Sequence, residues 1–294
     1  MKVVGLGGGH GLASTLRAAR LYAAEVSAVV TVADDGGSSG RLTRELGIPP
    51  PGDIRNCLVA LADDSDLARV YQHRFESGAL TGHPAGNLLI AALTELTGDF
   101  GAAVDAAGRL VGARGKVYPA TTALVELRAR VEGGIVEGQV NVATTETPIR
   151  DVYLSPSNPP AYGPAVDAIL AADQILLGPG SLFTSLIATL LVPGIRDALQ
   201  RSGAHRVFLC NSRMQKGETE QLDAAAHLEA LLAHAGPGTV DTMVIQDPPL
   251  PVDGVAADRD ALSRCGVRVV DADVADETGA HDPARLASCL VGLR

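Results

Sequence analysis

Four glycines in five positions, Gly7-Gly8-Gly9-His10-Gly11, stand directly behind a short strand-like run at residues 2–6 and ahead of an amphipathic stretch over 12–24. A strand that breaks at glycines and restarts as a helix must turn sharply, and glycine alone tolerates the positive φ such a turn demands. A second apolar segment follows at 26–33. Strand, turn, helix and strand in that order form the opening half-unit of an open parallel sheet. The turn also exposes unpaired N–H groups at a helix N-terminus, an arrangement that favours an anion. It is not a Walker loop, because no Gly-Lys-Ser/Thr follows. It also misses the dinucleotide fingerprint, since His10 falls where the third glycine belongs.

The same architecture is expected further along. Strands are predicted at 174–177, 206–209, 242–245 and 267–270, with helices over 53–61, 66–75, 83–96, 99–107, 181–191, 194–202, 218–235 and 283–293. Residues 34–52 read as a long loop rich in Gly, Ser and Pro, with Asp53 as an N-cap. Between 123 and 142 the pattern changes: two alternating segments flank Glu132-Gly133-Gly134, which predicts a β-hairpin insert. The expectation is one doubly wound α/β domain, Rossmann-like and mostly parallel, spanning residues 1–294. Hydrophobic residues make up 46% of the chain but aromatics only 3%, so its core must be built from Ala, Val, Leu and Ile. This suits strands covered on both faces.

Charge and cysteine usage narrow the function classes. A net charge of −10 argues against a general nucleic-acid or anionic-membrane binder. No apolar run approaches the ~18–20 residues of a membrane span, and the first apolar run is too short for a signal-peptide core. Cys57, Cys210, Cys265 and Cys289 are scattered without a CxxC pair, which points to a reduced, cytoplasmic chain.

Several further segments carry polar chemistry. Asp34 and Asp35 end the second strand, where an acid would meet a ribose hydroxyl, and Gly36-Gly37-Ser38-Ser39-Gly40 could form an anion nest. The paired carboxylates Asp34 and Asp35 beside phosphate also suit Mg²⁺. Asp53, Arg55 and Asn56 share one helical turn, and Asn87 follows the polar loop Gly82-His83-Pro84. Gly178-Pro179-Gly180-Ser181 is a second strand–glycine–helix unit with the physics of the first. Asn211 ends another strand beside Cys210, which reads as buried rather than reactive. His205, His227 and His234 lack spaced partners and read as ordinary residues.

Taken together, Ala33-Asp34-Asp35-Gly36-Gly37-Ser38-Ser39-Gly40-Arg41 and Pro50-Pro51-Gly52-Asp53-Ile54-Arg55-Asn56 resemble the YvcK family of gluconeogenesis factors. The similarity continues through Gly82-His83, Gly86-Asn87-Leu88, Gly178-Pro179-Gly180-Ser181-Leu182 and Gly217-Glu218-Thr219. The resemblance implies a CofD-like fold with a ligand at the sheet's carboxyl edge. It also implies binding of UDP-N-acetylglucosamine or a related UDP-sugar, and a regulatory role in gluconeogenic growth, cell-wall precursor supply and cell shape. The sequence departs from the family pattern at His10, where many members have Thr, and across Asn211-Ser212-Arg213-Met214-Gln215-Lys216.

The expected ligand set is Gly8, Gly9, His10, Gly11, Asp34, Asp35, Ser38, Ser39, Asp53, Asn56, Asn87, Gly178, Gly180, Ser181 and Asn211. A UDP-sugar regulator needs no cofactor. The competing reading is a transferase like the superfamily's enzyme branch, 2-phospho-L-lactate transferase, using Mg²⁺ on Asp35 and Asp53. A plain NAD(P) protein is disfavoured by the failed fingerprint. The partners expected are the nucleotide ligand and a second copy in a homodimer, with no nucleic acid and no membrane insertion.

Overall fold

Residues 3–7 are buried throughout, as a central strand covered on both faces requires. The computed structural model describes residues 1–293. In chain order the strands are β1 (Lys2–Gly7), β2 (Glu25–Val30), β3 (Lys116–Pro119), β4 (Glu126–Val131), β5 (Gly134–Glu137), β6 (Ile149–Ser155), β7 (Gln174–Leu177), β8 (His205–Leu209), β9 (Thr242–Gln246) and β10 (Arg268–Ala272). Seven of them form one sheet in the order β10-β9-β8-β7-β1-β2-β3, and every neighbouring pair in it is parallel. The expected doubly wound α/β fold is therefore present. The chain steps outward from β1 through β2 to β3, then returns to β7 beside β1 and steps outward the other way.

Period-two alternation sends side chains into two separate layers. Val3 and Leu176 pack with Leu12, Leu16 and Ile54 on one face. Val4, Leu6, Ile175 and Leu177 pack with Leu186, Ile195 and Leu228 on the other. Each fully buried aliphatic side chain contributes about 1.5–3 kcal/mol of transfer free energy. Among the described residues no single helix is long and apolar enough to cross a membrane.

The helices that position the site are α1 (Gly9–Arg20), α2 (Gly37–Leu46), α3 (Gly52–Leu61), α4 (Asp66–Gln72), α5 (Ala85–Thr97), α6 (Phe100–Val111) and α7 (Gln139–Ala143). Two differ in kind from the sequence expectation. The supposed loop over 34–52 contains α2, which ends at a left-handed Gly47. Its glycine-rich start is required by packing, because a Cβ on Gly40 would collide with the Asp35 carbonyl. Asp53 is not an N-cap: Pro51 holds that position without a side-chain cap, and Asp53 lies in the first turn of α3.

The expected hairpin exists as β4 and β5, turning at Glu132-Gly133 with Gly133 at φ 90°. It gains a third strand, β6, giving a separate antiparallel sheet of order β5-β4-β6. Leu127, Ala129, Val152 and Leu154 face the main core, while Arg128 pairs outward with Glu126 and Glu137. Residues near 140, expected to continue the hairpin, instead form α7, which lies over the carboxyl edge of the main sheet.

Candidate functional site at the switch point

The strand order reverses between β1 and β7, and both strands end in glycine turns that send their helices to opposite faces. A crevice at such a point is where open α/β sheets take ligands. In the first turn Gly7 and Gly9 have φ of 144° and 65°. In the second, Gly178 and Gly180 have φ of 75° and 140°. The two turns touch backbone to backbone: a Cβ on Gly11 would strike the Pro179 carbonyl and lie 2.9 Å from Gly180 Cα. Thr15 ties them, donating its hydroxyl to the Gly178 carbonyl at 3.0 Å in a buried setting. Thr15→Val keeps the shape but strands that carbonyl. It is expected to cost about 1–2 kcal/mol in urea unfolding, and an unchanged midpoint would show that the tie contributes nothing.

Carboxylates of the chain itself already occupy the inner anion positions of both turns. Asp53 accepts the Gly9 N–H, and a Cβ on Gly8 would collide with its Oδ2. Glu218 Oε1 accepts the N–H groups of Phe183 and Thr184 at 2.7 and 2.8 Å, at the start of a π-helical segment Leu182–Ile187. Burial pushes the Asp53 carboxyl up to about 6, assisted by the Asp34 charge and opposed by the Gly9 N–H and by Arg55. Burial likewise raises Glu218, against the pull of its two backbone donors.

Asp34 is the carboxylate whose charge acts on Asp53; it accepts the Gly36 N–H at 3.0 Å, and burial raises its pKa. Asp35 turns elsewhere, accepting the Val140 N–H of α7 at 2.9 Å. The two aspartates assigned to Mg²⁺ are thus each engaged by a different backbone amide. Among the described residues no group of three or more His, Cys, Asp or Glu is gathered as metal ligands. The donor set fits a divalent ion poorly, and no chemical step is assigned to one.

Ser38 and Ser39 do not form an open nest. Ser39 Oγ accepts the Gly52 N–H at 3.2 Å, joining α2 to α3. Arg55 donates to Asn87 Oδ1 at 2.9 Å and to Asn56 Oδ1 at 2.8 Å. That contact leaves the Asn87 amide nitrogen to donate to Ser38 Oγ at 3.1 Å, and Ser38 Oγ lies 2.8 Å from His83 Nδ1. These side chains are buried and lock α2, α3 and α5 into one unit behind the crevice.

Asn211 joins the second turn directly, accepting the Gly180 N–H at 3.1 Å and donating to Gln215 Oε1 at 3.2 Å. Ser181 meets Gln215 Nε2 at 3.5 Å. Cys210 is buried and its thiol is pushed up to about 12 by that burial, and all four cysteines are free. His10 is exposed. It lines a cleft of about 240 Å³ together with Gly11, Gly180, Asn211 and Arg213, so both departures from the expected motif face the same space. Sequence reasoning did not assign Thr15, Glu218, Gln215 or Arg213; Thr15 and Glu218 act across separations that local patterns do not report.

The model of the family described as 2-phospho-L-lactate transferase CofD matches residues 3–280. The chain belongs to the CofD family. Within the CofD family, a Mycobacterium tuberculosis (strain ATCC 25618 / H37Rv) relative is 45% identical over 99% of this chain and 90% of its own length. A Bacillus subtilis (strain 168) relative named gluconeogenesis factor is 40% identical over 99% of this chain and 98% of its own. A crystal structure of a UPF0052 family protein from Bacillus halodurans superposes with a TM-score of 0.95 at 38% identity, covering 99% of this chain and 98% of that one. The likeness thus extends across the switch point, the α2–α3–α5 unit and the antiparallel insert.

Proposed function

We propose that this protein binds a UDP-sugar, with UDP-N-acetylglucosamine as the representative ligand. On this reading it acts as a cytoplasmic regulator of gluconeogenic growth, cell-wall precursor supply and cell shape. The observation that carries the reading is the backbone contact between two glycine turns at the β1/β7 switch point. The relative named gluconeogenesis factor supports the gluconeogenic part of this role. Ser38, Ser39, Asn56 and Asn87 are committed to hydrogen bonds within the scaffold, which leaves the two glycine turns as the ligand-facing elements of this reading.

Titration calorimetry with UDP-N-acetylglucosamine, NAD and GDP, with and without Mg²⁺, tests this. UDP-N-acetylglucosamine is expected to bind and NAD to give no heat. Absence of UDP-sugar binding at about 1 mM, an affinity weaker than roughly −4 kcal/mol, would reject the reading. The transferase alternative rests on the family-model match and the coupled Asp34–Asp53 carboxylates. Steady turnover of a nucleotide-activated phospholactate would establish it instead.

A further inference from the structure

α7 has five residues, too few to stand as a helix on its own hydrogen bonds. Nor is it capped from within, since Gly138 precedes it at φ 89° with no side chain to accept an N–H. Two distant parts of the chain hold it instead. At its first turn the Asp35 carboxylate accepts the Val140 N–H at 2.9 Å, and a Cβ on Gly138 would strike the other oxygen of that carboxylate. Gly36 closes the same contact, because a Cβ there would lie 3.0 Å from a Val140 methyl. At its far end α7 meets Gly217, where a Cβ would lie 2.8 Å from the Ala143 carbonyl oxygen and 3.1 Å from Thr144 Cα. Between these two grips Val142 is fully buried in the core layer of Phe183, Leu186 and Ile187.

Each grip stands one residue from a carboxylate that acts on a glycine turn. Asp35 follows Asp34, whose charge bears on Asp53, the acceptor of the Gly9 N–H. Gly217 precedes Glu218, the acceptor of the Phe183 and Thr184 N–H groups. Asp35 lies beyond β2 and Gly217 beyond β8, on opposite sides of the β1/β7 boundary in the strand order. α7 therefore bridges the two halves of the sheet at their switch point.

We propose that α7 is a strap that couples the two glycine turns, so that the crevice is ordered on both sides only while α7 is formed. Its use in regulating ligand capture rests on the UDP-sugar reading, whereas the coupling rests on the two grips alone. A short segment held chiefly by its ends opens at low free energy. A ligand that touches both turns fixes the halves relative to each other and so steadies the strap. By linkage, a strap that cannot form lowers the affinity for that ligand by up to the same factor.

Amide exchange followed by NMR on the wild type, Asp35→Ala and Val142→Ala tests the coupling with no ligand present. The amides of β9 (Thr242–Gln246) serve as the control for global loosening. Asp35→Ala releases one end of α7, and exchange is expected to rise about fivefold or more at Phe183 and Thr184, beyond the other end. Val142→Ala loosens the middle and should speed exchange at both Gly9 and Phe183. Acceleration confined to residues 138–144 in both variants overturns the proposal, whether or not a UDP-sugar binds, and so does acceleration of equal size in β9. Added UDP-N-acetylglucosamine should slow exchange over 138–144 in the wild type, and Val142→Ala should weaken its binding several-fold in calorimetry. A bound UDP-sugar that leaves 138–144 unprotected overturns the proposal. Coupled exchange at the two turns with no UDP-sugar bound upholds the strap and removes only the UDP-sugar reading.

Discussion

Replacing Arg55 with alanine is expected to lower the free energy of unfolding by about 3–5 kcal/mol, the range for removing one partner from a buried charged network. Arg55 is 6% exposed. Burial and the nearby Arg74 charge depress it to about 10, against the pull of Asp53 and Asp34, so it stays charged at neutral pH. Its removal strands the side-chain oxygen of Asn87, leaves that of Asn56 with only a 3.4 Å bond from Gln72 Nε2 and takes away the positive charge opposing Asp34 and Asp53. A stranded oxygen costs about 1–3 kcal/mol where no water reaches it. The damage should be local first: amide exchange ought to speed up in α2 and α5, which Arg55 connects through Asn87 and Ser38. Urea unfolding at pH 7 together with hydrogen exchange reads both effects. A loss below about 1 kcal/mol, with α2 still protected, would show that packing alone docks these helices.

That network also marks the boundary of what the residues disclosed by themselves. β1, α1, β2 and the strand at β7 were legible because apolar runs and glycine turns are local signals. α2 was not, because Gly37-Ser38-Ser39-Gly40 has poor helix propensity. The helix exists because Ser38, Ser39 and Gly40 are fixed by His83, Gly52 and the Asp35 carbonyl, and none of these contacts has a sequence signature. β3 is four residues long at the sheet edge, too short for periodicity to register. Around Val140 the alternating pattern suggested a strand, but the Asp35 carboxylate accepts the Val140 N–H and the chain coils into α7. Within the candidate site, the glycines and the Asp34–Asp35 segment were visible. Their division of labour was not: Asp34 couples to Asp53, while Asp35 holds the insert.

Asp53 gives the second large effect, with the opposite sign to Arg55. Its carboxyl stands at about 6 in the folded protein against 3.8 for the free group. Between those values the folded chain holds the proton that the unfolded chain has released, so stability falls as pH rises from about 4 to 6, and the full cost persists above that. Two units correspond to about 3 kcal/mol at roughly 1.36 per unit. This is a ceiling, because the residue keeps some solvent contact. Asp53→Asn retains an oxygen for the Gly9 N–H and removes the charge, so it is expected to stabilise the protein by about 1–3 kcal/mol at pH 7.5 and by little at pH 4. Asp34, also raised, stays in the variant and leaves a residual slope of the same sign. Urea unfolding of both proteins at pH 4, 6 and 7.5 measures the difference directly, and parallel curves across that range would remove the basis for the claim. A carboxylate that weakens the fold at neutral pH, yet sits against the first glycine turn of the switch point, belongs with groups kept for a site rather than for the core.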